Sequence, residues 1–186
     1  SKNVAKVSRR DLAKVISTKQ IGATTVASTM ICANMAGIKF FVTGGIGGVH
    51  RGYEETLDVS ADLDELGRTN VNVICAGAKS ILDLPRTLEY LETKGVPVVG
   101  YQTDYLPQFF TRESEYKLNL RLDTPTEIAE MIKTKDELEL SGGVLITNPI
   151  PEEASMDKKY IDGLIDKAIN EANEKHIIGK DVTPFL

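Results

Sequence analysis

The sequence predicts an α/β fold in which helices cover both faces of a mostly parallel sheet. Short apolar runs alternate along the chain with longer amphipathic segments, and most connections between them are short. Such alternation is typical of strand–helix–strand units and of a layered α/β/α architecture. The composition, 41% hydrophobic and 26% charged residues, is that of a globular protein. We therefore predict that residues 1–186 form a single domain.

Capping residues define the helices. Ser8 begins a helix as the first residue of a capping box, and Gly37 and Gly95 each follow a helix end. Thr124 caps a later helix that opens with Pro125. In chain order we predict strand 3–7, helix 8–18, helix 26–37 capped by Thr24 or Thr25, strand 38–42, helix 60–66, strand 71–75, helix 83–94, strand 96–101, strand 118–122, helix 124–140, strand 144–147 and helix 157–176.

Patterns of apolar residues then predict burial. The runs 38–42 and 71–75 are apolar and too short for helices, so they predict buried strands. The helix at 26–37 has apolar or small residues on nearly every face, which predicts a buried helix. Alternating leucines at 118–122 predict an edge strand, and residues 107–110 in the irregular stretch before it predict a packing plug.

Charge and cysteine usage exclude several classes of protein. The net charge of −5 argues against a nucleic-acid-binding surface. No apolar run approaches the roughly 20 residues that span a bilayer, and the first residues lack the apolar core of a signal peptide. Cys32 and Cys75 lie in apolar stretches, which predicts free, buried thiols in a reducing, intracellular and cytoplasmic compartment. A catalytic cysteine is the alternative, although neither thiol has an evident histidine partner.

Two predicted strands end in small, glycine-rich turns. Strand 38–42 leads into Gly44-Gly45-Ile46-Gly47-Gly48, and strand 71–75 leads into Ala76-Gly77-Ala78-Lys79-Ser80. Ligands of open α/β sheets bind at such carboxyl ends. The first turn matches neither a dinucleotide-binding fingerprint nor a Walker loop, but its amides could hold a phosphate. The alternative is a tight turn that the fold requires. We predict a site for a phosphorylated or sugar-like ligand.

Lys79 is the predicted reactive group of this site. It follows an apolar strand among small residues, and partial desolvation there would favour the free amine that Schiff-base chemistry needs. A lysine that extends to the surface is an equally open alternative. Asp58 and Asp62 would share a face if their segment is helical, and carboxylates suit Mg²⁺ or Mn²⁺. Their alternative role is to complement a helix dipole.

Other polar residues near the turns allow more than one role. His50 beside Arg51 could serve a phosphate or a proton transfer, although a histidine in a turn is more often structural. Lys6, Arg9 and Arg10 form a basic cluster at the end of the first strand, which could hold a phosphate or remain solvated.

Several long motifs resemble those of one protein family. They are KVSRRDL at 6–12, GATTVASTM at 22–30, TGGIGGVHRG at 43–52, DVSADLDEL at 58–66, CAGAKSILD at 75–83, LETKGVPVVGYQT at 91–103, NPIPEE at 148–153 and GKDVTPFL at 179–186. Together, in this order and spacing, they resemble the pseudouridine-5′-phosphate glycosidases, also called the indigoidine synthase A-like family. The resemblance covers essentially the whole chain.

The resemblance implies a function and a set of site residues. It implies an α/β/α fold, a homotrimer, a divalent metal, typically Mn²⁺, and a glycosidase or lyase of nucleoside catabolism that reversibly splits pseudouridine 5′-phosphate into uracil and ribose 5-phosphate. In the family a lysine attacks the anomeric carbon and forms an imine. Matching the motifs assigns the nucleophile to Lys79, the metal ligand to Asp58, and substrate contacts to Lys6, Val26, Ser60, Ala61 and Asp62.

Imine chemistry suits a carbon–carbon glycosidic bond. Such a bond has no leaving-group oxygen to protonate, so the usual pair of carboxylates does not suffice, whereas an imine provides an electron sink. Family members also carry an N-terminal glutamate that donates the proton and a C-terminal asparagine near the base, and this chain lacks both regions. We therefore expect an interior portion of a longer glycosidase, without turnover of its own. Two alternatives are a non-catalytic phosphosugar-binding fragment and a Schiff-base aldolase that acts on another sugar phosphate.

Overall fold

The computed structural model describes residues 4–177 and Phe185. We number the strands and helices in chain order. They are β1 (Ala5–Val7), α1 (Arg9–Ser17), β2 (Gly22–Thr24), α2 (Val26–Met35), β3 (Phe40–Val42), β4 (Val49–His50), α3 (Tyr53–Thr56), α4 (Ala61–Arg68), β5 (Asn72–Cys75), β6 (Leu82–Asp83), α5 (Leu84–Thr93), β7 (Val98–Tyr101), β8 (Leu120–Leu122), α6 (Pro125–Glu137), β9 (Leu145–Thr147) and α7 (Lys158–Glu174).

Within the described residues, five parallel strands form the central sheet, in the order β3-β5-β9-β7-β8. The register pairs Val42 with Ile74 and Val73 with Leu145. The prediction of a parallel sheet is confirmed, and so is the edge position of β8. Because β3 and β5 are neighbours, the two glycine-rich turns that follow them lie side by side at the carboxyl edge of the sheet.

Side chains on the two faces of the sheet enter two separate hydrophobic clusters. Val73 and Cys75 join the larger cluster, which includes residues of α2, α4 and α5. Ile74, between them, packs with Ile132 of α6 in the smaller cluster on the opposite face. This alternation along one strand is what burial on both faces requires. The α/β/α layering is therefore confirmed.

The predicted order implied that the first strand belongs to the central sheet, but it does not. Instead β1 pairs in parallel with β2, a strand that the sequence did not predict. Its three residues are exposed and include Gly22, so they carry no apolar signal. Gly22 lies so close to β1 that a Cβ there would be 2.4 Å from Cγ2 of Val7. The short antiparallel pair of β4 and β6 and the single-turn helix α3 were also missed, because two to four residues carry no periodicity.

Three burial predictions were wrong at the β3 edge of the sheet. The strand was predicted to be buried, yet Phe40 is 50% exposed and Val42 is 70% exposed. Cys32 on α2 is also exposed, so only Cys75 is a buried thiol. Helix α2 buries one face rather than all faces. In each case the outer side of the element has no described neighbour that covers it, which a local apolar pattern cannot reveal.

The predicted helix ends are largely confirmed. Asp11 accepts a hydrogen bond from the Ser8 amide at 3.0 Å, as the capping box requires. Helix α4 ends at Arg68, two residues beyond the predicted end at Leu66. In α7, Ile161 and Ile165 are buried, whereas Leu164 is exposed. No helix within residues 4–177 is long and apolar enough to cross a membrane.

A partly buried ion pair connects α1 to α4. Arg9 donates from Nε and Nη2 to the two carboxylate oxygens of Glu65, at 2.6 and 2.7 Å. The Glu65 side chain is 1% exposed and that of Arg9 is 48% exposed. Burial alone would raise the pKa of the Glu65 carboxyl, but hydrogen bonds from Arg9 and Thr69 and the charge of Arg9 outweigh burial and lower it. The pair therefore fixes the basic segment of α1 beside α4.

Replacement of Arg9 by alanine is expected to destabilise the chain by about 2 kcal/mol at pH 7, since it leaves a buried carboxylate without its charged donor. Folding lowers the pKa of Glu65 from its ordinary value of about 4.5. The stabilisation by the ion pair is therefore complete above that unfolded-state pKa, and it is lost as the pH falls through the folded-state pKa. Urea unfolding of both proteins between pH 3 and pH 7 measures the difference, which should narrow at the acid end.

The matched control is Arg10→Ala, because Arg10 is exposed and approaches only Asp11, at 3.6 Å, among the described acidic residues. We expect this change to stay within about 0.5 kcal/mol of wild type. Equal destabilisation by the two substitutions would contradict a specific role for the Arg9–Glu65 pair.

Candidate active site

A cavity of about 830 Å³ opens at the carboxyl ends of β3 and β5. Its wall also includes residues of β1 and of the first turns of α2 and α4. The residues that the sequence assigned to catalysis, substrate binding or metal binding all line it: Lys6, Val26, Asp58, Ser60, Ala61, Asp62 and Lys79. The fold thus brings together side chains from four separate stretches of the sequence.

The two glycine-rich turns are hydrogen-bonded to each other. The amide of Ala76 donates to the carbonyl of Gly44 at 3.0 Å, and the amide of Ile46 donates to that of Gly77 at 3.2 Å. The amide of Lys79 then donates to the carbonyl of Ile46, also at 3.2 Å. These bonds continue the β3–β5 pairing beyond the sheet. As a result, the backbone of Lys79 is held by the neighbouring turn, while its side chain is half-buried in the cavity wall.

The glycines of the first turn make room for neighbouring protein groups. A Cβ at Gly47 would lie 2.2 Å from Oγ of Ser60, and one at Gly48 would lie 2.5 Å from Oγ1 of Thr87. The amides of Gly47 and Val49 donate to Asp62 and Thr87, at 2.8 and 3.0 Å. The amides of Ile46, Gly47 and Val49 are therefore used within the protein. The phosphate-binding role of the other amides of this turn stays a prediction.

Asp62 joins three parts of the cavity wall. Its Oδ1 accepts a hydrogen bond from the amide of Ala27 in α2, and its Oδ2 accepts one from the amide of Gly47, both at 2.8 Å. The residue is 6% exposed and lies in the first turn of α4. Asp62 thus contributes to the site as a buried bridge between segments. Its assignment as a substrate contact stays a prediction.

Asp58 lies outside α4, so the condition under which it would share a helical face with Asp62 is not met. It precedes the helix in an extended segment, where its carbonyl accepts from the amide of His50 at 3.0 Å. Its Oδ2 lies 3.9 Å from Nδ1 of His50. The other carboxylates of the wall have closer partners: Asp62 has two amides, Asp64 has Lys94, and Glu65 has Arg9. Asp58 therefore keeps a carboxylate that can take a ligand.

The described residues include no group of three or more His, Cys, Asp or Glu side chains arranged to hold a metal ion. A single carboxylate can still fit a hard cation such as Mg²⁺ or Mn²⁺, because these ions are commonly bound through one or two carboxylates, waters and substrate oxygens. Asp58, in the wall of a wide cavity, meets that limited requirement.

His50 is part of the cavity wall, whereas its neighbour Arg51 is not. Burial is the main cause that lowers the pKa of His50, and the charges of Lys6 and Lys79 lower it further against the opposing effect of Asp58. The imidazole is therefore neutral at pH 7 and can accept a proton. Arg51 instead pairs with Asp166 at 2.7 Å and donates to the carbonyl of Ser80.

The remaining predicted residues complete one side of the wall. Lys6 is exposed on β1, and Val26 is the first residue of α2. Ser60 is the N-cap of α4, where its Oγ accepts from the amide of Asp62 at 3.2 Å, and Ala61 beside it is exposed. Arg10 also lines the cavity. This side combines a cation with small side chains that leave space for a ligand.

Sequence reasoning assigned no role in the site to Phe109, which also lines the cavity. Its stretch was predicted to be a packing plug, and Pro107 and Gln108 are indeed buried. Only the pairing of distant segments reveals that the next residue faces the site. Cys75 has no such role, because burial raises the pKa of its thiol to about 12 and leaves no thiolate at neutral pH.

Comparison with known proteins identifies the family. The sequence profile described as "Indigoidine synthase A like protein" matches residues 1–186. The chain belongs to the indigoidine synthase A-like family. It is 68% identical over 186 residues to the pseudouridine-5′-phosphate glycosidase of Glaesserella parasuis serovar 5 (strain SH0165), and 64% identical to that of Staphylococcus aureus (strain MW2).

Two solved structures have the same fold. The prealnumycin C-glycosynthase AlnA, solved in complex with ribulose 5-phosphate, superimposes with a TM-score of 0.91 at 41% identity over 98% of this chain. An indigoidine synthase A-like protein from Thermotoga maritima superimposes with a TM-score of 0.89 at 36% identity over 99% of the chain. The α/β/α fold is thus found in independently solved relatives.

The relatives are longer than this chain. The match covers the whole of this chain, but only 62% of the length of the Glaesserella protein and 61% of that of the Staphylococcus protein. It likewise spans 60% of each of the two solved chains. The described cavity therefore corresponds to part of a larger protein in these relatives.

Gly47→Ala is expected to destabilise the chain by about 1–3 kcal/mol, because its Cβ would lie 2.2 Å from Oγ of Ser60 and 2.9 Å from Oδ2 of Asp62. Gly44→Ala is the matched control in the same turn. Its Cβ would lie 3.6 Å from the Phe109 ring, an ordinary contact, so we expect a change within about 0.5 kcal/mol. Urea unfolding at pH 7 compares the two; equal tolerance would refute the packing role of the turn.

Proposed function

We propose that this chain carries the imine-forming half of a pseudouridine-5′-phosphate glycosidase, with Lys79 as the nucleophile. The observation that carries the proposal is that the β3 and β5 turns hold Lys79 in the wall of a cavity shared with Lys6, Asp58 and His50. The names of the relatives at 68% and 64% identity support the same substrate. The reaction is the reversible conversion of pseudouridine 5′-phosphate and water into uracil and ribose 5-phosphate.

The proposed chemistry begins at the anomeric carbon of the sugar. The Nζ amine of Lys79 attacks C1′, the bond from C1′ to the ring oxygen breaks, and that oxygen takes a proton. The bond between C1′ and the uracil carbon then breaks. Its electron pair goes to that carbon, which takes a proton, and an imine remains between C1′ and Nζ. Water finally hydrolyses the imine to release ribose 5-phosphate and the free amine.

Residues around Lys79 would hold the phosphosugar and move protons. Lys6 provides a cation on the rim for the phosphate. Ser60, Ala61 and Val26 would shape the sugar pocket, and the buried carboxylate of Asp62 fixes their positions by bridging α2 and α4 to the glycine turn. The neutral imidazole of His50 can accept the proton that Nζ loses on attack.

A divalent cation, Mn²⁺ by the family resemblance, forms part of the proposal. Asp58 would hold it together with waters and sugar or phosphate oxygens, since its carboxylate has no closer described partner than His50 at 3.9 Å. A bound cation supplies positive charge that orients an anionic substrate.

The proposal extends to assembly and compartment. A homotrimer follows from the family resemblance, and the exposed apolar side chains of Phe40 and Val42 on β3 support a further covering surface. A cytoplasmic location agrees with two free cysteines, of which one is exposed.

The test is borohydride trapping with ribose 5-phosphate. Trapping requires the imine on Lys79, but it does not require protonation of the departing uracil. The expected result is one ribose-phosphate adduct per chain, located on Lys79 by peptide mapping. Lys79→Arg should abolish the adduct, because a guanidinium does not form the imine. Lys6→Ala should raise the half-saturating concentration of ribose 5-phosphate and leave the limiting yield unchanged, since Lys6 binds phosphate and does not react.

Three results would overturn the proposal or replace it. An adduct that persists in Lys79→Arg would exclude Lys79 as the nucleophile. Binding of ribose 5-phosphate to the folded chain without a trapped adduct would favour a non-catalytic phosphosugar-binding fragment. Trapping that is indifferent to uracil and to pseudouridine 5′-phosphate would favour an aldolase that acts on another sugar phosphate.

A further inference from the structure

The backbone of Phe109 adopts a conformation that bulky residues rarely take. Its φ angle is +60°, in the left-handed region. Two hydrogen bonds connect the loop around Phe109 to the two ends of the turn that carries Lys79. The amide of Phe109 donates to the carbonyl of Ala76 at 3.0 Å, and Oγ of Ser80 donates to the carbonyl of Gln108 at 2.6 Å. A strained residue that its surroundings fix in this way is commonly found where position matters for function.

The ring of Phe109 occupies space that two glycines leave open. A Cβ at Gly45 would lie 2.6 Å from Cδ2 and Cε2 of the ring, and one at Gly44 would lie 3.6 Å from Cε2. On another side, the ring of Phe110 meets it edge-on, with centroids 4.7 Å apart and an interplanar angle of 79°. The ring is therefore wedged between the β3 turn and Phe110, and it remains only half-buried.

The exposed part of the ring belongs to the cavity wall. Among the described residues that line the cavity, Phe109 alone carries a phenyl ring. The charged residues of that wall, Lys6, Asp58 and Lys79 among them, suit a phosphate and a sugar. A phenyl ring contributes little to either group, whereas it offers a stacking surface to an uncharged planar heterocycle.

We infer that Phe109 determines specificity for the base by providing the surface on which the uracil ring of the substrate stacks. This inference rests on the proposed function. The Ala76 and Ser80 contacts of its loop tie the position of the ring to that of Lys79, so the base would be held at a fixed place relative to the carbon that Lys79 attacks.

The experiment compares a ligand with a base and a ligand without one. The concentration of ribose 5-phosphate that half-saturates borohydride trapping is measured first, followed by the concentration of pseudouridine 5′-phosphate that halves this trapping. For Phe109→Leu, we expect the half-saturating concentration of ribose 5-phosphate to stay within about twofold of wild type. The inhibitory concentration of pseudouridine 5′-phosphate should rise roughly 5- to 150-fold, which is the range for loss of one stacked base. Phe109→Tyr, which keeps an aromatic ring, should restore the wild-type value.

Two further variants separate this role from a structural one. Phe110→Leu is the matched control, because Phe110 touches the same ring but does not line the cavity; neither value should change. Phe109→Asn removes the ring with a residue that tolerates positive φ, so it should reproduce the selective loss in a folded chain.

The outcomes decide between the two proposals. If Phe109→Leu and Phe109→Asn weaken both ligands equally, or weaken neither, the stacking role is wrong while the Lys79 chemistry stands. If the wild-type chain gives no adduct on Lys79, or if pseudouridine 5′-phosphate does not compete, the proposed function fails and the stacking role fails with it.

Discussion

The cavity depends on one buried carboxylate. The Asp62 carboxylate accepts hydrogen bonds from the amides of Ala27 and Gly47, both at 2.8 Å, and therefore connects the start of α2 and the β3 turn to α4. A buried carboxylate is stable only when hydrogen bonds replace its hydration, so the three segments cannot separate without leaving a charge unsatisfied. The β3 turn in turn holds the backbone of Lys79 through the carbonyl of Ile46. The position of the proposed nucleophile thus follows from a residue that need not react.

The glycine-rich turn after β3 has a packing role in this arrangement. In many α/β proteins such a turn presents amides to a phosphate. Here the turn makes room for the side chains of Ser60, Thr87 and Phe109, and the amides of Gly47 and Val49 donate to Asp62 and Thr87. Side chains such as Lys6 provide positive charge for an anionic ligand. The cavity is accordingly built from side chains on a backbone that internal hydrogen bonds fix, which favours defined positions for the reacting groups.

Much of the architecture could be predicted from the sequence because it depends on local signals. Caps such as Ser8 and Thr124 and buried runs such as 71–75 gave the main helices and strands, and the family motifs gave the members of the cavity wall. The rest depends on contacts between distant segments. The pairing of β1 with β2 involves exposed residues, the exposure of Phe40 depends on which neighbours cover the sheet edge, and Phe109 reaches the cavity only because its loop bonds to Ala76. No periodicity within a short window contains that information.

The most direct measurement is the rate of borohydride labelling of Lys79 by ribose 5-phosphate in Asp62→Asn, at temperatures where the variant remains folded. Asparagine keeps the shape but places an amide donor against one of the two backbone N–H groups, at a cost of roughly 1–3 kcal/mol. The account predicts labelling at least tenfold slower than wild type, while Asp64→Asn, whose carboxylate pairs with Lys94 at 2.7 Å, labels at nearly the wild-type rate. Undiminished labelling in folded Asp62→Asn would contradict the claim that this carboxylate builds the site.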